Sequence, residues 1–194
     1  MRSYSLLSAL ACLVLLNACG AGTPTGSGGT PPSPTAPPSP SPAPPSVGDD
    51  ASLHRLVTQT EPFAGYTPFP NADEFTTGRL VGSEAHRPVV RVSLNARAMS
   101  ALVGGRLPAG GRFPDGSIVF KEVRASQSAT PNLYAVMYRD QANPLAGAGW
   151  LWAEFSPTGS VAFSVSQRGS GCVGCHSLAL GPQNDRVRTF ERQR

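Results

Sequence analysis

The feature that most constrains this chain is a short motif near its C-terminal end, Cys172-Val173-Gly174-Cys175-His176. Two thiols at this spacing, with a histidine directly after them, are typical of an exported protein that carries haem c. In such proteins the thiols form thioether bonds to the porphyrin and the imidazole coordinates the iron. We therefore predict one covalently attached haem c, held by Cys172, Cys175 and the axial ligand His176.

Three other interpretations of the two thiols remain open. A thioredoxin-like redox pair normally lies early in a βαβ unit, whereas only 18 residues follow His176. A zinc site needs further thiols or imidazoles, and the remaining histidines, His54 and His86, are far upstream and not paired at ligand spacing. A plain disulfide between Cys172 and Cys175 is the third alternative.

The N-terminal end has the pattern of an export signal. A short basic start precedes an apolar run over residues 6–16, which is too short to span a bilayer. The run ends in Leu16-Asn17-Ala18-Cys19, which resembles a bacterial lipobox. We predict a lipoprotein signal peptide over residues 1–18, lipidation of Cys19, and an anchor to the bacterial cell envelope on the periplasmic side or the cell surface. An ordinary secretory peptide cleaved near Ala18 is the alternative.

The composition divides the mature chain into a tether and a domain. Residues 19–48 are dominated by proline, serine, threonine, glycine and alanine, so they have too little apolar surface to offset the entropy of ordering. We predict a disordered linker there and one folded domain over residues 49–194, large enough to bury a core. The charges of that domain are dispersed without a basic block, and we predict no nucleic-acid partner.

The residue patterns of the domain predict an α+β fold. Acidic residues before an apolar stripe indicate a helix from Asp49 to Glu61, and a shorter helix is expected over residues 96–103. Alternating and β-branched runs predict five strands, over residues 89–94, 117–123, 133–139, 150–155 and 161–166. The motif should begin a short helix. Small helical electron carriers are excluded because they have the motif near the N-terminus. The helical cytochromes c′ are excluded because the pattern of this domain is mainly β.

The run from Gly111 to Val123, GRFPDGSIVFKEV, resembles the hallmark segment of the cytochrome P-460 family. Residues 90–93, 150–155 and 185–190 resemble further family segments in the same order, so the resemblance covers about residues 88–190. It implies a mainly antiparallel five-stranded sheet with a few short helices, and one five-coordinate haem with an open distal face. The family includes hydroxylamine-oxidising enzymes and the cytochromes c′-β, which bind nitric oxide.

Lys121 stands where the enzyme branch of that family has a lysine bonded to the porphyrin edge, so the resemblance implies a catalytic and cofactor-binding role. Lys121 is also the only lysine of the chain, against 15 arginines. A lysine can lose its proton when buried and become a nucleophile, whereas an arginine cannot. Lys121 shares a strand face with Val119 and Val123, but the face of Ile118 and Phe120 is equally apolar, so a surface position stays open.

Tyr138 stands where the hydroxylamine-oxidising branch has an acidic distal residue. We expect its hydroxyl to donate a hydrogen bond to bound ligand, with Phe113 or Phe120 as an apolar lid. Four side chains are formal candidates for a sixth ligand: His54, His86, Met99 and Met137. We expect the two histidines to be solvated and Met137 to be a core residue.

Two classes of function follow. In the first, an open iron binds or oxidises a small nitrogen compound, such as nitric oxide or hydroxylamine, and electrons pass to another cytochrome. In the second, both axial positions are filled and the protein is an electron carrier without a substrate. The predicted partners are a small ligand, a redox cytochrome and the membrane, and the resemblance adds a homodimer.

Overall fold

The computed structural model describes residues 43–72, 74–77, 86 and 88–193. The predicted signal peptide, Cys19 and most of the predicted linker lie outside the described residues. Within the described ranges, no helix is long and apolar enough to cross a membrane.

The strands of the described residues form one antiparallel sheet, in the order β1-β3-β4-β5-β6-β7 with β2 also paired to β3. The two-residue strands β1 and β2 lie beside β3, so β3 to β7 make up the predicted five-stranded sheet. The α+β prediction is confirmed. The strands are β1 (Thr67–Pro68), β2 (Thr76–Thr77), β3 (Val89–Leu94), β4 (Ile118–Arg124), β5 (Pro131–Arg139), β6 (Trp150–Phe155) and β7 (Val161–Phe163).

Three short α-helices accompany the sheet in the described ranges. Helix α1 (Asp50–Arg55) continues as a π-helical turn to Thr60, which agrees with the predicted extent of the first helix. The Asp49 carboxylate caps it by accepting a hydrogen bond from the Ser52 backbone N–H at 2.7 Å. The other two are α2 (Ala96–Met99) and α3 (Cys172–His176).

Two predicted elements are shorter than expected because the chain turns earlier. After α2, the Val103 N–H donates to the Arg106 carbonyl at 2.8 Å, which turns the chain away from the helix axis. After β7, the Ser164 hydroxyl accepts from the Ser166 N–H and begins a 3₁₀ turn. Short 3₁₀ turns cover Phe63–Gly65, Val165–Gln167, Pro182–Asn184 and Arg188–Arg192.

Both faces of the sheet are buried, so successive residues of β4 point into two different apolar clusters. The first cluster lies under α1 and contains Ile118 and Phe120. Val47 is also in this cluster at 2 % exposed, so packed structure begins before Asp49. The second cluster contains Val119 and is covered by the C-terminal part of the chain. This second face positions the site.

Candidate functional site

Helix α3 presents the reactive side chains of the motif on one face. Cys172 and Cys175 are separated by three positions and His176 follows Cys172 by four, which are the spacings of neighbours on a helix surface. Gly171, directly before the helix, has φ 82°, a backbone conformation that favours glycine. The sequence prediction that the motif begins a short helix is confirmed by α3.

The helix and the second face of the sheet enclose a cavity of about 290 Å³. Cys172, Cys175 and His176 line one part of it, and Met137 and Trp152 line another. The Trp152 ring packs edge-on against the His176 ring, with 4.8 Å between the ring centroids. The cavity therefore meets the three residues of the motif that carry chemistry.

His176 is oriented by the backbone of the segment that follows the motif. Its Nδ1–H donates to the Arg186 carbonyl oxygen at 2.6 Å, which leaves the lone pair on Nε2. Burial, and then the charge of Lys121, lowers the pKa of His176 to about 3, so the imidazole is neutral. A neutral imidazole whose other nitrogen donates to a carbonyl is the usual state of a metal-bound histidine.

The two thiols are unpaired, so the disulfide alternative does not describe this structure. Burial raises the pKa of Cys172 to about 11 and keeps it protonated at neutral pH. Among the described residues, no group of three or more His, Cys, Asp or Glu side chains could hold a metal ion on its own. Two free thiols and one oriented imidazole beside a cavity fit a haem held by thioether bonds and one axial ligand.

A row of three residues crosses the sheet opposite the motif. Lys121 on β4 pairs with Ala135 on β5, which pairs with Glu154 on β6. Adjacent strands are about 4.8 Å apart, so the backbones of Lys121 and Glu154 are about 10 Å apart. The small Ala135 side chain leaves space between them, and His86 fills it. The His86 Nε2 lies 2.6 Å from Glu154 Oε1, and its Nδ1 lies 3.1 Å from Lys121 Nζ.

This Glu154–His86–Lys121 chain has a defined order of donors and acceptors. The hydrogen bond from His86 lowers the pKa of Glu154. An ionised carboxylate only accepts, so Nε2 of His86 carries the proton and Nδ1 accepts from Lys121 Nζ. Burial, and then the charge of Lys121, lowers the pKa of His86, and burial lowers the pKa of Lys121 to about 8. A neutral imidazole thus lies between a carboxylate and an ammonium that binds its proton weakly.

The structure brings Lys121 together with the three motif residues in one cavity. Sequence reasoning missed two members of this site. His86 was expected to be solvated but is 18 % exposed, and nothing in its surrounding sequence indicates a cavity. Glu154 did carry a signal, since it is the one charged residue of the strand WLWAEF and shares the strand face of Trp152.

Tyr138 lies on the opposite face of the sheet, in the first apolar cluster, so the expectation that it contacts bound ligand does not hold. It is 1 % exposed, and its hydroxyl donates to the backbone carbonyl of Pro45. On β5 the residues that line the cavity through their side chains are Ala135 and Met137, because neighbours along a strand alternate between faces. The acidic group that faces the cavity is Glu154 instead.

The expected apolar lid is also placed differently. Phe120 stacks on Phe63 in the first cluster, with 4.4 Å between the ring centroids. Phe113 packs against the Trp150 ring rather than lining the cavity, and Phe163 lines it instead. Of the four candidate sixth ligands, His86 and Met137 line the cavity, whereas His54 packs against Phe155 and Met99 packs at the edge of the second cluster.

The fold and the site define a β-rich domain with a cavity beside a C-terminal Cys-x-x-Cys-His motif. The sequence model of the family described as Cytochrome P460 matches residues 73–187, more than half of the chain. The protein belongs to the cytochrome P460 family, whose members bind a covalently attached haem c. The comparison with curated proteins gave no match.

The loop after the motif provides a test of how tightly this site is packed. A Cβ added at Gly181 would overlap the His176 carbonyl, and the Gly181 carbonyl accepts from the Arg186 N–H at 2.7 Å. We expect Gly181→Ala to lower the free energy of unfolding by about 2 kcal/mol, because backbone must move. Chemical denaturation of the haem-loaded protein measures this. Gly174→Ala is the control, since its Cβ would meet nothing within 4 Å; equal losses in both variants would contradict the prediction.

Proposed function

We propose that this protein is a mono-haem cytochrome, tethered to the membrane by a lipid on Cys19, that binds or oxidises a small nitrogen compound. Hydroxylamine and nitric oxide are the ligands we favour, with electrons passing to another cytochrome. The observation that carries the proposal is the Glu154–His86–Lys121 chain, which gives a mainly apolar cavity one polar wall beside the haem motif.

The arrangement of histidines supports an open position on the iron. The motif supplies one imidazole, His176, whose Nδ1–H is committed to the Arg186 carbonyl. The second imidazole of the cavity, His86, has both ring nitrogens in hydrogen bonds to Glu154 and Lys121. His86 could become a ligand only by leaving one of these partners, so the observed arrangement favours a five-coordinate iron.

When bound, the haem supplies a redox-active iron that can bind small ligands and exchange electrons. Cys172 and Cys175 would hold it through thioether bonds, and Nε2 of His176 would coordinate the iron. The Arg186 carbonyl keeps the His176 ring in one orientation. These four residues therefore fix the cofactor and leave the chemistry of the ligand to the polar wall.

The polar wall suits a ligand that exchanges protons. Oxidising hydroxylamine removes protons as well as electrons, so nearby groups must accept protons. Glu154 is an acceptor that His86 keeps ionised, and His86 can take a proton on Nδ1 when Lys121 moves away. Lys121 can donate a hydrogen bond from Nζ to an oxygen or nitrogen atom of the ligand.

Lys121 also meets the requirements for a bond to the porphyrin edge, and we include that bond in the proposal. Its side chain lines the same cavity as Cys172 and Cys175. Its pKa of about 8, lowered by burial, makes the neutral amine accessible near neutral pH. Of the two positions that the sequence left open for Lys121, the arrangement favours the one facing the cavity over the one at the surface.

A second function is favoured by one specific observation. Met137 lies on β5 and lines the cavity, and a thioether is a common second axial ligand in cytochromes c. With Met137 on the iron, the protein would be a six-coordinate electron carrier without a substrate of its own.

Absorption spectra of the purified holoprotein separate these two functions. We expect a high-spin ferric spectrum, and a ferrous form whose Soret band shifts when nitric oxide is added at a concentration near that of the protein. Met137→Leu should leave both spectra unchanged. A low-spin ferric spectrum that becomes high-spin in Met137→Leu would overturn the open-site proposal and support the electron carrier.

A further inference from the structure

We infer that His86 and Glu154 act on Lys121, with His86 as the base that takes a proton from the lysine nitrogen and Glu154 as the residue that positions His86. Their joint effect is to produce a neutral amine that bonds to the porphyrin edge. The inference rests on the proposed function, from which it takes the haem and the Lys121 bond.

The inference rests on the order of the three side chains that are joined by hydrogen bonds, Glu154, His86 and Lys121. An activated nucleophile needs a base within hydrogen-bond reach and a third group that orients the base. The His86 Nδ1 is 3.1 Å from Lys121 Nζ, and Glu154 Oε1 is 2.6 Å from the opposite ring nitrogen. Carboxylate, imidazole and nucleophile therefore stand in the same sequence as in hydrolase triads, with an amine in place of a hydroxyl.

The strand register explains how an imidazole fits between Lys121 and Glu154. Lys121 and Glu154 stand two strands apart with the small Ala135 between them, so an imidazole fits the gap and a direct contact is not required. The other ionisable side chains that act on Lys121 are Glu154, Cys175, Arg188 and Arg192, and they shift its pKa in both directions. Among the described residues that line the cavity, His86 is the neutral base in hydrogen-bond contact with Lys121.

The bond-forming step balances with an oxidant of the peroxide class. The proton that Lys121 releases moves to His86 Nδ1, and Glu154 stabilises the resulting imidazolium before that proton reaches solvent. One N–H bond of the neutral amine and one C–H bond of the porphyrin edge then break, and a C–N bond forms. The two protons and two electrons released reduce one hydrogen peroxide to two water molecules, as its O–O bond breaks.

A bond to Lys121 can be detected by proteolysis, because Lys121 is the only lysine of the protein. After denaturation, a lysine-specific protease cuts the chain at Lys121 when the amine is free and leaves it whole when the amine is bonded. The experiment uses the full chain, matured with haem and then exposed to hydrogen peroxide. Trypsin with mass spectrometry identifies the product, since residues 113–124 and 169–186 remain joined through the haem only if Lys121 is bonded.

We expect the uncut fraction to form about tenfold more slowly in His86→Gln at pH 7, because a lysine with a pKa of about 8 is only about one-tenth neutral there without a base. Glu154→Gln should slow it by a smaller factor, of about threefold. His54→Gln is the matched control, since His54 packs against Phe155 outside the cavity, and it should react at the wild-type rate. Lys121→Arg should give no joined tryptic product.

Raising the pH distinguishes a base from a structural support. Above about pH 9 the lysine loses its proton without help, so the defect of His86→Gln should shrink to less than about twofold. A defect that stays the same at high pH, or a His86→Gln rate equal to wild type, would overturn the inference alone. A wild-type chain cut completely at Lys121 would overturn both the inference and the Lys121 bond of the proposed function, while the haem on Cys172 and Cys175 would remain.

Discussion

The double variant Cys172→Ser, Cys175→Ser should yield a chain that carries no covalent haem. Serine hydroxyls do not add to the porphyrin as thiols do, and the two thiols lie together on one face of α3 beside the cavity. We expect haem staining of a denaturing gel to fall to less than about 5 % of wild type after expression with a cytochrome c maturation system. The same chain should also lose the ferric absorption spectrum after acid extraction of free haem.

The loss of haem should destabilise the domain as well. Removing a large group that fills an apolar cavity, here of about 290 Å³, costs the packing of the cavity walls, and truncations of large core side chains cost about 3 to 5 kcal/mol. Water at the polar wall would recover part of this, so we expect a loss of about 3 kcal/mol or more. For a domain of this size, that corresponds to a fall in Tm of about 10 °C, measured by thermal unfolding.

Cys19→Ser is the matched control for the thiols, because the proposed lipid on Cys19 plays no part in holding the haem. This variant should stain for haem at the wild-type level while it no longer fractionates with membranes. If the double serine variant still carried haem through denaturation, Lys121→Arg would be added to it; haem retained in that triple variant would contradict the thioether assignment, whereas its loss would identify the Lys121 bond as the remaining link.

The sheet was largely predictable because alternation and turn residues are local signals. Residues 89–94 and 150–155 were predicted as strands and form β3 and β6 with the same bounds. The ends of helix α2 and strand β7 were not predictable in this way. They depend on a single backbone bond after Val103 and on the Ser164 hydroxyl, which no hydrophobic period reports.

Only those site residues that belong to a short motif, or that stand out by composition, were predictable from the sequence. Cys172, Cys175 and His176 follow from their spacing, and Lys121 follows from being the single lysine on a strand. The prediction that Tyr138 faces the ligand was wrong because the resemblance gave its place along the strand but not the face to which it points. A shift of one residue moves a side chain to the other face of the sheet. The correct carboxylate, Glu154, lies one strand further along, where only cross-strand register places it beside Lys121.

His86 shows the limit of sequence reasoning most clearly. It belongs to none of the predicted helices and strands, so periodicity assigns it no face. Its place in the cavity depends on Ala135 being small and on partners that lie 35 and 68 residues further along the chain, Lys121 and Glu154. Contacts of such long range follow from the assembled sheet and not from any local pattern.

Asp185 connects the site to the core, and its loss should destabilise the fold. It is 4 % exposed, and its carboxylate accepts the Phe113 backbone N–H at 2.9 Å and lies 3.6 Å from Arg139. Its backbone carbonyl accepts the Trp150 indole N–H at 2.9 Å. It also directly precedes Arg186, whose carbonyl orients His176, so a shift at Asp185 should reach the axial ligand.

We expect Asp185→Ala to lower the free energy of unfolding by about 3 kcal/mol, since it removes the buried carboxylate that pairs with the guanidinium of Arg139, which is 5 % exposed, and leaves it only the exposed Asp115 at 3.9 Å. Asp185 also has φ 49°, a conformation that alanine adopts less readily than aspartate. Urea unfolding of the holoprotein measures the loss. Arg112→Ala is the matched control, because Arg112 pairs with the same carboxylate at 3.6 Å but its side chain is 59 % exposed, so the expected change is below about 0.5 kcal/mol. Losses of similar size in the two variants would show that burial of the Arg139 pair does not stabilise this end of the sheet.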